Sequence, residues 1–130
     1  MNVLIDCNNK LCAYLYNNKI ILPLSFEVAG IVLGDCVFGY SGDIKGKIFN
    51  GIFYAANGQI VAIEKQCTQM PEFDIIQVVL QGWHIVQKIK DHECPWITPV
   101  EKWLPVSIDD FLKHPAWVTV IKRTFAKISL

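Results

Sequence analysis

The chain has 130 residues, of which 52% are hydrophobic and 18% are charged, and its 12 Lys and Arg are balanced by 12 Asp and Glu. This length predicts a single domain over 1–130, and the composition excludes intrinsic disorder, which needs low hydrophobicity and high net charge. Because neither half of the chain has an excess of basic residues, no nucleic-acid partner is expected.

The N-terminus and the cysteines favour a cytoplasmic protein. A signal peptide has a basic leader followed by a long apolar stretch, and the first ten residues do not show this pattern. The apolar runs are far shorter than the ~20 residues of a membrane helix, so no membrane association is expected. An odd number of irregularly spaced cysteines favours reduced, buried thiols. The five are Cys7, Cys12, Cys36, Cys67 and Cys94.

Residues 3–65 contain four repeated units of about 16 residues. A small residue anchors each unit, at spacings of 17, 16 and 16: Ala13, Gly30, Gly46 and Ala62. Five positions before the anchor stands a turn former: Asn8, Ser25, Ser41 and Asn57. Nine and eight positions before it stand two apolar residues: Leu4-Ile5, Ile21-Leu22, Val37-Phe38 and Phe53-Tyr54. Such a period is typical of a repeat architecture.

Each unit is predicted to be a β-hairpin, which gives about eight short strands over 3–65. Turn pairs suited to two-residue hairpin loops stand within three of the units: Asn8-Asn9, Ser41-Gly42 and Asn57-Gly58. Unit two has Ser25-Phe26 instead and needs another or a longer turn. Further turn signals link the units: Asn17-Asn18, Gly34-Asp35 and Asn50-Gly51.

The anchors favour a radial or barrel-like array of the hairpins. Gly or Ala lets another backbone come close, so four such positions indicate hairpins that converge on a crowded axis. The large residues expected to fill the space beside this axis are Ile5, Leu22, Phe38 and Tyr54. A closed array also hides the sheet edges that an ordinary meander, the alternative, would leave open.

The units resemble the 4-fold β-flower proteins of bacteria, in which four short hairpins are arranged like petals about a central axis. The resemblance covers the first half of the chain, over Ile5–Leu15, Leu22–Val32, Phe38–Ile48 and Tyr54–Glu64. Ser25-Phe26 departs from the family's pattern. The resemblance implies a fold and no catalytic residues, because the family has no catalytic signature that can be carried over.

Residues 67–130 are expected to pack on the array as a β segment with one short helix. Residues 74–89 are rich in β-branched residues and are interrupted by Gly82, which favours two strands joined near that glycine; a helix is the alternative.

Three prolines predict a coil over 94–106. Ser107 is expected to cap a helix over 108–113, which has two acidic residues in its first turn. The alternating pattern of 117–130 predicts a closing strand.

His92 and Cys94 raise the question of a metal site. Residues two apart share a face of a strand, so an imidazole and a thiolate could both reach one ion. A closed zinc site would need two more ligands, and Cys67 and His84 are the remaining donors. Their spacing matches no zinc pattern, so no metal or cofactor is expected.

Catalytic motifs are scarce, and a non-catalytic β-rich binding or scaffold module is therefore the favoured function. No Gly-x-Ser-x-Gly motif occurs, and residues 42–48 fail the phosphate-loop pattern. The alternative is a small thiol- or zinc-dependent enzyme that uses Cys94, His92 and His84.

The tryptophans indicate where such a module would bind. Trp96 and Trp103 lie in the Pro-rich coil and are candidate binding residues together with His92, since exposed Trp is a favoured interface anchor. Trp83 and Trp117 are expected to fill the core. Zero net charge and high apolar content in a small domain favour a homodimer or a protein partner.

Overall fold

The computed structural model describes residues 1–69 and 71–114. Eight strands come first: β1 (Asn2–Ile5), β2 (Leu11–Tyr16), β3 (Lys19–Ile21), β4 (Val28–Leu33), β5 (Cys36–Gly39), β6 (Ile44–Phe49), β7 (Ile52–Ala55) and β8 (Ile60–Gln66). Two helices follow, α1 (Ile75–Val86) and α2 (Ile108–Lys113). The closing strand expected over 117–130 lies outside the described residues.

The eight strands form a closed antiparallel barrel. Each strand pairs with the next along the chain, and β1 pairs with β8 from Asn2↔Gln66 to Ile5↔Ile63. The barrel-like array predicted from the repeat is therefore confirmed. Because the ring is closed, every one of these strands has a partner on both sides, and the barrel has no free edge.

The turns within the units are longer than expected. In units one, three and four, a loop of three residues separates the two residues whose backbones are hydrogen-bonded across the turn. In unit three, for example, the N–H of Gly39 donates to the carbonyl of Asp43 at 2.8 Å. The third loop residue has a positive φ in all three: Asn9, Gly42 and Gly58. A bulge in the strand after each turn accompanies this geometry, and its extra residues are Cys12, Lys45 and Val61. Two-residue loops occur between the units instead, and one such loop is Asn17-Asn18.

Unit two has a turn that is one residue longer, which explains the spacing of 17. The N–H of Leu22 donates to the carbonyl of Glu27 at 2.9 Å, and Phe26 takes the positive φ. The prediction that this turn differs is confirmed. The extra residue shifts the strand register, so that Ile20, not Ile21, stands opposite Gly30.

The barrel interior is filled by the residues paired with the small anchors. These pairs are Leu4↔Ala13, Ile20↔Gly30, Val37↔Gly46 and Phe53↔Ala62. The expectation that Ile5, Phe38 and Tyr54 fill the interior is wrong, because neighbouring residues of a strand point to opposite faces. Leu22 does join the interior cluster.

The two glycine anchors have no side chain because the next strand passes close to them. A Cβ on Gly46 would lie 1.9 Å from the carbonyl oxygen of Tyr54 on β7, and one on Gly30 would lie 3.0 Å from that of Phe38 on β5. The predicted close approach of a backbone is confirmed. It takes place between neighbouring strands and not at a central axis.

Residues 75–86 form one helix, so the expected pair of strands is wrong and the alternative is right. Asp74 caps the helix: its Oδ1 accepts the backbone N–H groups of Ile76 at 3.1 Å and Gln77 at 3.3 Å. Gly82 lies inside the helix and does not interrupt it. It is buried on the side of α1 that packs on the outside of the barrel, where the end of the Lys19 side chain on β3 lies close to it.

The second helix closes one mouth of the barrel. It has the predicted bounds and the predicted cap, since the Asp110 N–H donates to Ser107 Oγ at 3.2 Å. The Phe111 ring meets that of Phe53 edge-on at 5.8 Å, and Leu112 is fully buried among the interior residues. The hydrophobic core therefore extends from the barrel into α2.

We expect Gly46→Ala to lower the free energy of unfolding by about 3 kcal/mol, because a methyl group cannot fit against the Tyr54 carbonyl without moving β7. Urea unfolding measures this. Gly34→Asn is the matched control, since Gly34 has a φ of +60° and open space around it, and Asn tolerates that conformation. A free energy for Gly46→Ala equal to that of the control would contradict the close-approach explanation.

Candidate functional site

The structure places the predicted site residues in different surroundings. Trp96 is 89% exposed, whereas Trp103 is partly buried and bridges to Ile60 at the start of β8. His92 is exposed, and its ring meets Phe38 of β5 edge-on at 6.1 Å. Cys94 shares a small cavity with His92, and neither tryptophan lines that cavity.

The four candidate zinc ligands are not brought together. His84 lies on the exposed side of α1, and Cys67 follows the end of β8, where its thiol donates to the Gln69 carbonyl at 2.7 Å. Among residues 1–69 and 71–114, no three His, Cys, Asp or Glu side chains form a group that could hold a metal ion.

The helix α1 carries an exposed apolar face that sequence reasoning missed. Its members, with their exposed fractions, are Ile75 (55%), Ile76 (70%), Val79 (49%), Leu80 (56%) and Trp83 (60%). The expectation that Trp83 fills the core is therefore wrong. The face is separate from the one that packs on the barrel, which consists of Val78, Gly82 and Ile85.

A signal for this face exists in the sequence once the segment is taken as a helix. Residues 75, 76, 79, 80 and 83 fall on one side of a helix with 3.6 residues per turn, and residues 78, 82 and 85 fall on another. Residues 75–87 contain no Asp, Glu, Lys or Arg. The helix is thus apolar on two sides, of which the barrel covers one.

A cavity of about 480 Å³ lies between α2 and the turns of units one and two. Its apolar walls include Leu22, Pro23, Leu24, Val61, Val106 and Ile108. The charged groups that line it are Asp6, Glu27, Asp109 and Lys113. Its size and apolar lining are those of a small-molecule pocket.

The charged groups of this cavity are largely engaged with one another. Lys113 Nζ lies 3.0 Å from Glu27 Oε2 and 3.3 Å from Asp109 Oδ1. The hydrogen bond to Glu27 is the main cause that raises the pKa of Lys113. Asp6 Oδ1 accepts the N–H groups of Asn8 and Lys10 and so shapes the first turn.

The thiol in the cavity wall does not act as a nucleophile at neutral pH. Burial, with a smaller contribution from the Asp6 carboxylate, raises the pKa of Cys12 to about 12. Its Sγ donates to the Leu4 carbonyl at 3.2 Å. The thiol in the cavity wall therefore stays protonated.

A buried ion pair within unit three lies against the end of α2. Lys45 is 5% exposed, and its Nζ lies 3.0 Å from Asp43 Oδ2. The same ammonium donates to the carbonyl of His114 and lies 5.6 Å from the centre of the Phe111 ring. Within the described residues neither Asp43 oxygen receives a well-aligned hydrogen bond, so the pair acts through charge attraction. It therefore stabilises the closed mouth.

A comparison with protein-family models matches residues 3–112 to the 4-fold beta flower protein family. The chain belongs to this family. The match runs from β1 to α2, so the family resemblance extends beyond the four hairpins in which it was seen. Comparisons with curated proteins and with solved structures give no match. No helix among the described residues is long and apolar enough to cross a membrane.

We expect Asp43→Asn to lower the free energy of unfolding by about 3 kcal/mol, because it leaves the Lys45 ammonium buried without its counter-charge. The matched control is Asp109→Asn at the exposed pair with Lys113, which should cost less than 1 kcal/mol. Thermal and urea unfolding measure both. Equal costs at the two sites would show that the buried pair does not stabilise the mouth.

Proposed function

We propose that this protein is a non-catalytic binding module that forms a homodimer through the exposed apolar face of α1. The observation that carries the proposal is the exposure of five large apolar side chains along one 12-residue helix. The largest contiguous apolar surface of a soluble protein is often functional, and such surfaces are typical of interaction sites.

A second copy of the chain suits this face because neither surface carries charge. Residues 75–87 have no formally charged side chain, so two copies of α1 would meet without like-charge repulsion and without an unpaired buried charge. The protein as a whole has a net charge of zero, which also does not oppose association. Gln77, His84 and Gln87 are exposed polar residues of the same segment and suit the rim of such an interface.

The geometry of the helix suits twofold pairing. On ordinary side-chain areas, the five exposed residues present roughly 500 Å² of apolar surface, which is near the upper end of the patch on a typical monomer. A twofold axis brings the same patch of each copy face to face, and the two α1 helices run antiparallel when that axis is perpendicular to them. A stable interface needs about 800 Å² per partner, so the surface around α1 must contribute the remainder.

The barrel serves as the rigid support for this helix. Val78 and Ile85 are almost fully buried against Ile21, Val28 and Ile31 on the outside of the barrel. The Val28 N–H also donates to Gln81 Oε1 at 2.8 Å, which joins α1 directly to β4. The exposed face is thus held by a fixed helix, and dimerisation would order no additional backbone in α1.

We expect the full-length protein to be a dimer and Leu80→Lys to be a monomer, because the substitution places two ammonium groups in an apolar interface. Gln77→Lys is the matched control, since it adds the same charge to the same helix outside the apolar face, and it should remain a dimer. Light scattering after size exclusion, over a range of concentrations, gives the masses.

Two results would contradict the proposal. One is a wild-type protein that has the mass of a single chain at every concentration. Coverage of α1 by residues 115–130 of the same chain would give this result. The other is a dimer that Leu80→Lys leaves intact, which would place the interface elsewhere. Circular dichroism of Leu80→Lys serves as the folding control, and because Leu80 is 56% exposed we expect its spectrum to be unchanged.

A further inference from the structure

The segment after α1 lies on the outer face of β5. Ile89 is buried in a cluster with Cys36 and Phe38, which stand two residues apart on β5 and therefore share one face of the sheet. His92 follows and meets the Phe38 ring edge-on at 6.1 Å. This packing keeps the segment close to the barrel, although it has no strand or helix of its own.

The same packing brings a second cysteine to Cys36. The ring of His92 contacts that of Phe38. Cys94 lies two residues after His92, and Cys36 lies two residues before Phe38, so the two cysteines lie next to each other on the same side of this contact. Both thiols line a cavity of about 210 Å³. The remaining lining residues are Leu33, Asp35, Phe38, Lys47 and His92. Both cysteines are free thiols in this structure.

We propose that Cys36 and Cys94 are a redox-active pair, which a peroxide oxidises to a disulfide that ties the segment after α1 to the barrel. The proposal does not depend on dimer formation or on the apolar face of α1. It assigns a modification site to the chain, with hydroperoxides as the class of oxidant.

The two thiols have different positions and so different parts in the reaction. Cys94 is exposed and meets the peroxide first. Its sulfur attacks one peroxide oxygen and the O–O bond breaks, which gives a sulfenic acid and one water from hydrogen peroxide, or an alcohol from an organic hydroperoxide. The sulfur of buried Cys36 then attacks the Cys94 sulfur. The S–S bond forms, the S–O bond breaks, and hydroxide leaves with the proton of the Cys36 thiol as water. Two electrons pass from the thiols to the peroxide.

The surroundings of Cys36 favour this order. Burial, with smaller contributions from the neighbouring Cys94 thiol, raises the pKa of Cys36 to about 12, so Cys36 is a poor first nucleophile. Conversion of Cys94 to a sulfenic acid removes the charge repulsion between two thiolates. The nearby Lys47 ammonium lowers the pKa of Cys36 and remains in place for the second step.

The other cysteines provide the internal controls. Cys7 is exposed in the first turn, and Cys67 is half-buried beyond β8. Neither lines the cavity shared by Cys36 and Cys94. Oxidation that depends on proximity should therefore be confined to one pair, whereas oxidation that depends on exposure alone should also modify Cys7.

The test is mass spectrometry of the full-length reduced protein after treatment with hydrogen peroxide. We expect a loss of about 2 Da, a linked peptide that contains Cys36 and Cys94, and complete reversal by dithiothreitol. Oxidation should also raise the midpoint of thermal unfolding by on the order of 10 °C, because the disulfide closes a long loop. Cys94→Ser should abolish all three effects, and Cys7→Ser and Cys67→Ser should retain them.

Three outcomes would overturn the proposal: linked peptides that contain Cys7 or Cys67 in place of this pair, overoxidation of Cys94 while Cys36 stays a free thiol, or an unchanged mass in excess peroxide. Cys94 is exposed, so Cys94→Ser should fold as the wild type does. Cys36→Ala is the second variant, because a small apolar side chain suits its buried site. In Cys36→Ala, Cys94 should stop at the sulfenic acid, which a dimedone adduct detects.

Discussion

The close approach of neighbouring strands at the small anchor positions is the constraint on which the rest of the structure depends. At Gly46 a single added carbon would lie 1.9 Å from the Tyr54 carbonyl, so the strand pair closes only because the side chain is absent. Gly30 shows a similar but less close approach, and alanine is the anchor in the other two units. The barrel interior holds one large residue opposite each anchor: Leu4, Ile20, Val37 and Phe53.

Closure determines where the protein can interact. Because β1 pairs with β8, none of the eight strands offers a free edge for strand addition, and binding through the barrel's own backbone is excluded. The mouth that α2 covers is filled by Phe111 and Leu112 and held by the Lys45–Asp43 pair. The outer surface, the segments between the helices and the cavity beside α2 are therefore the parts of the described chain that remain for function.

The helix α1 combines two roles that usually belong to separate elements. One side of it is packed on the barrel through Val78, Gly82 and Ile85, and the other side presents an apolar row to solvent. The segment that follows it returns to β5 and places Cys94 beside Cys36. A bond between these thiols would fix the chain immediately after α1, while the apolar row lies on the helix itself. The proposed redox pair and the proposed dimer face thus lie on neighbouring parts of one segment.

The sequence by itself determined the features that rest on local chemistry. The period of small residues and turn formers predicts the hairpins and the closed array, and Ser107 with two following acids predicts α2. Which apolar residue of each unit faces inward depends on strand register, and a slip of one residue reverses the faces. At 75–86 the β-branched residues favour strands locally, but packing of α1 on β4 stabilises a helix. The pairing of Cys36 with Cys94 joins residues 58 positions apart in the chain, and only the tertiary structure decides such a contact because no local pattern encodes it.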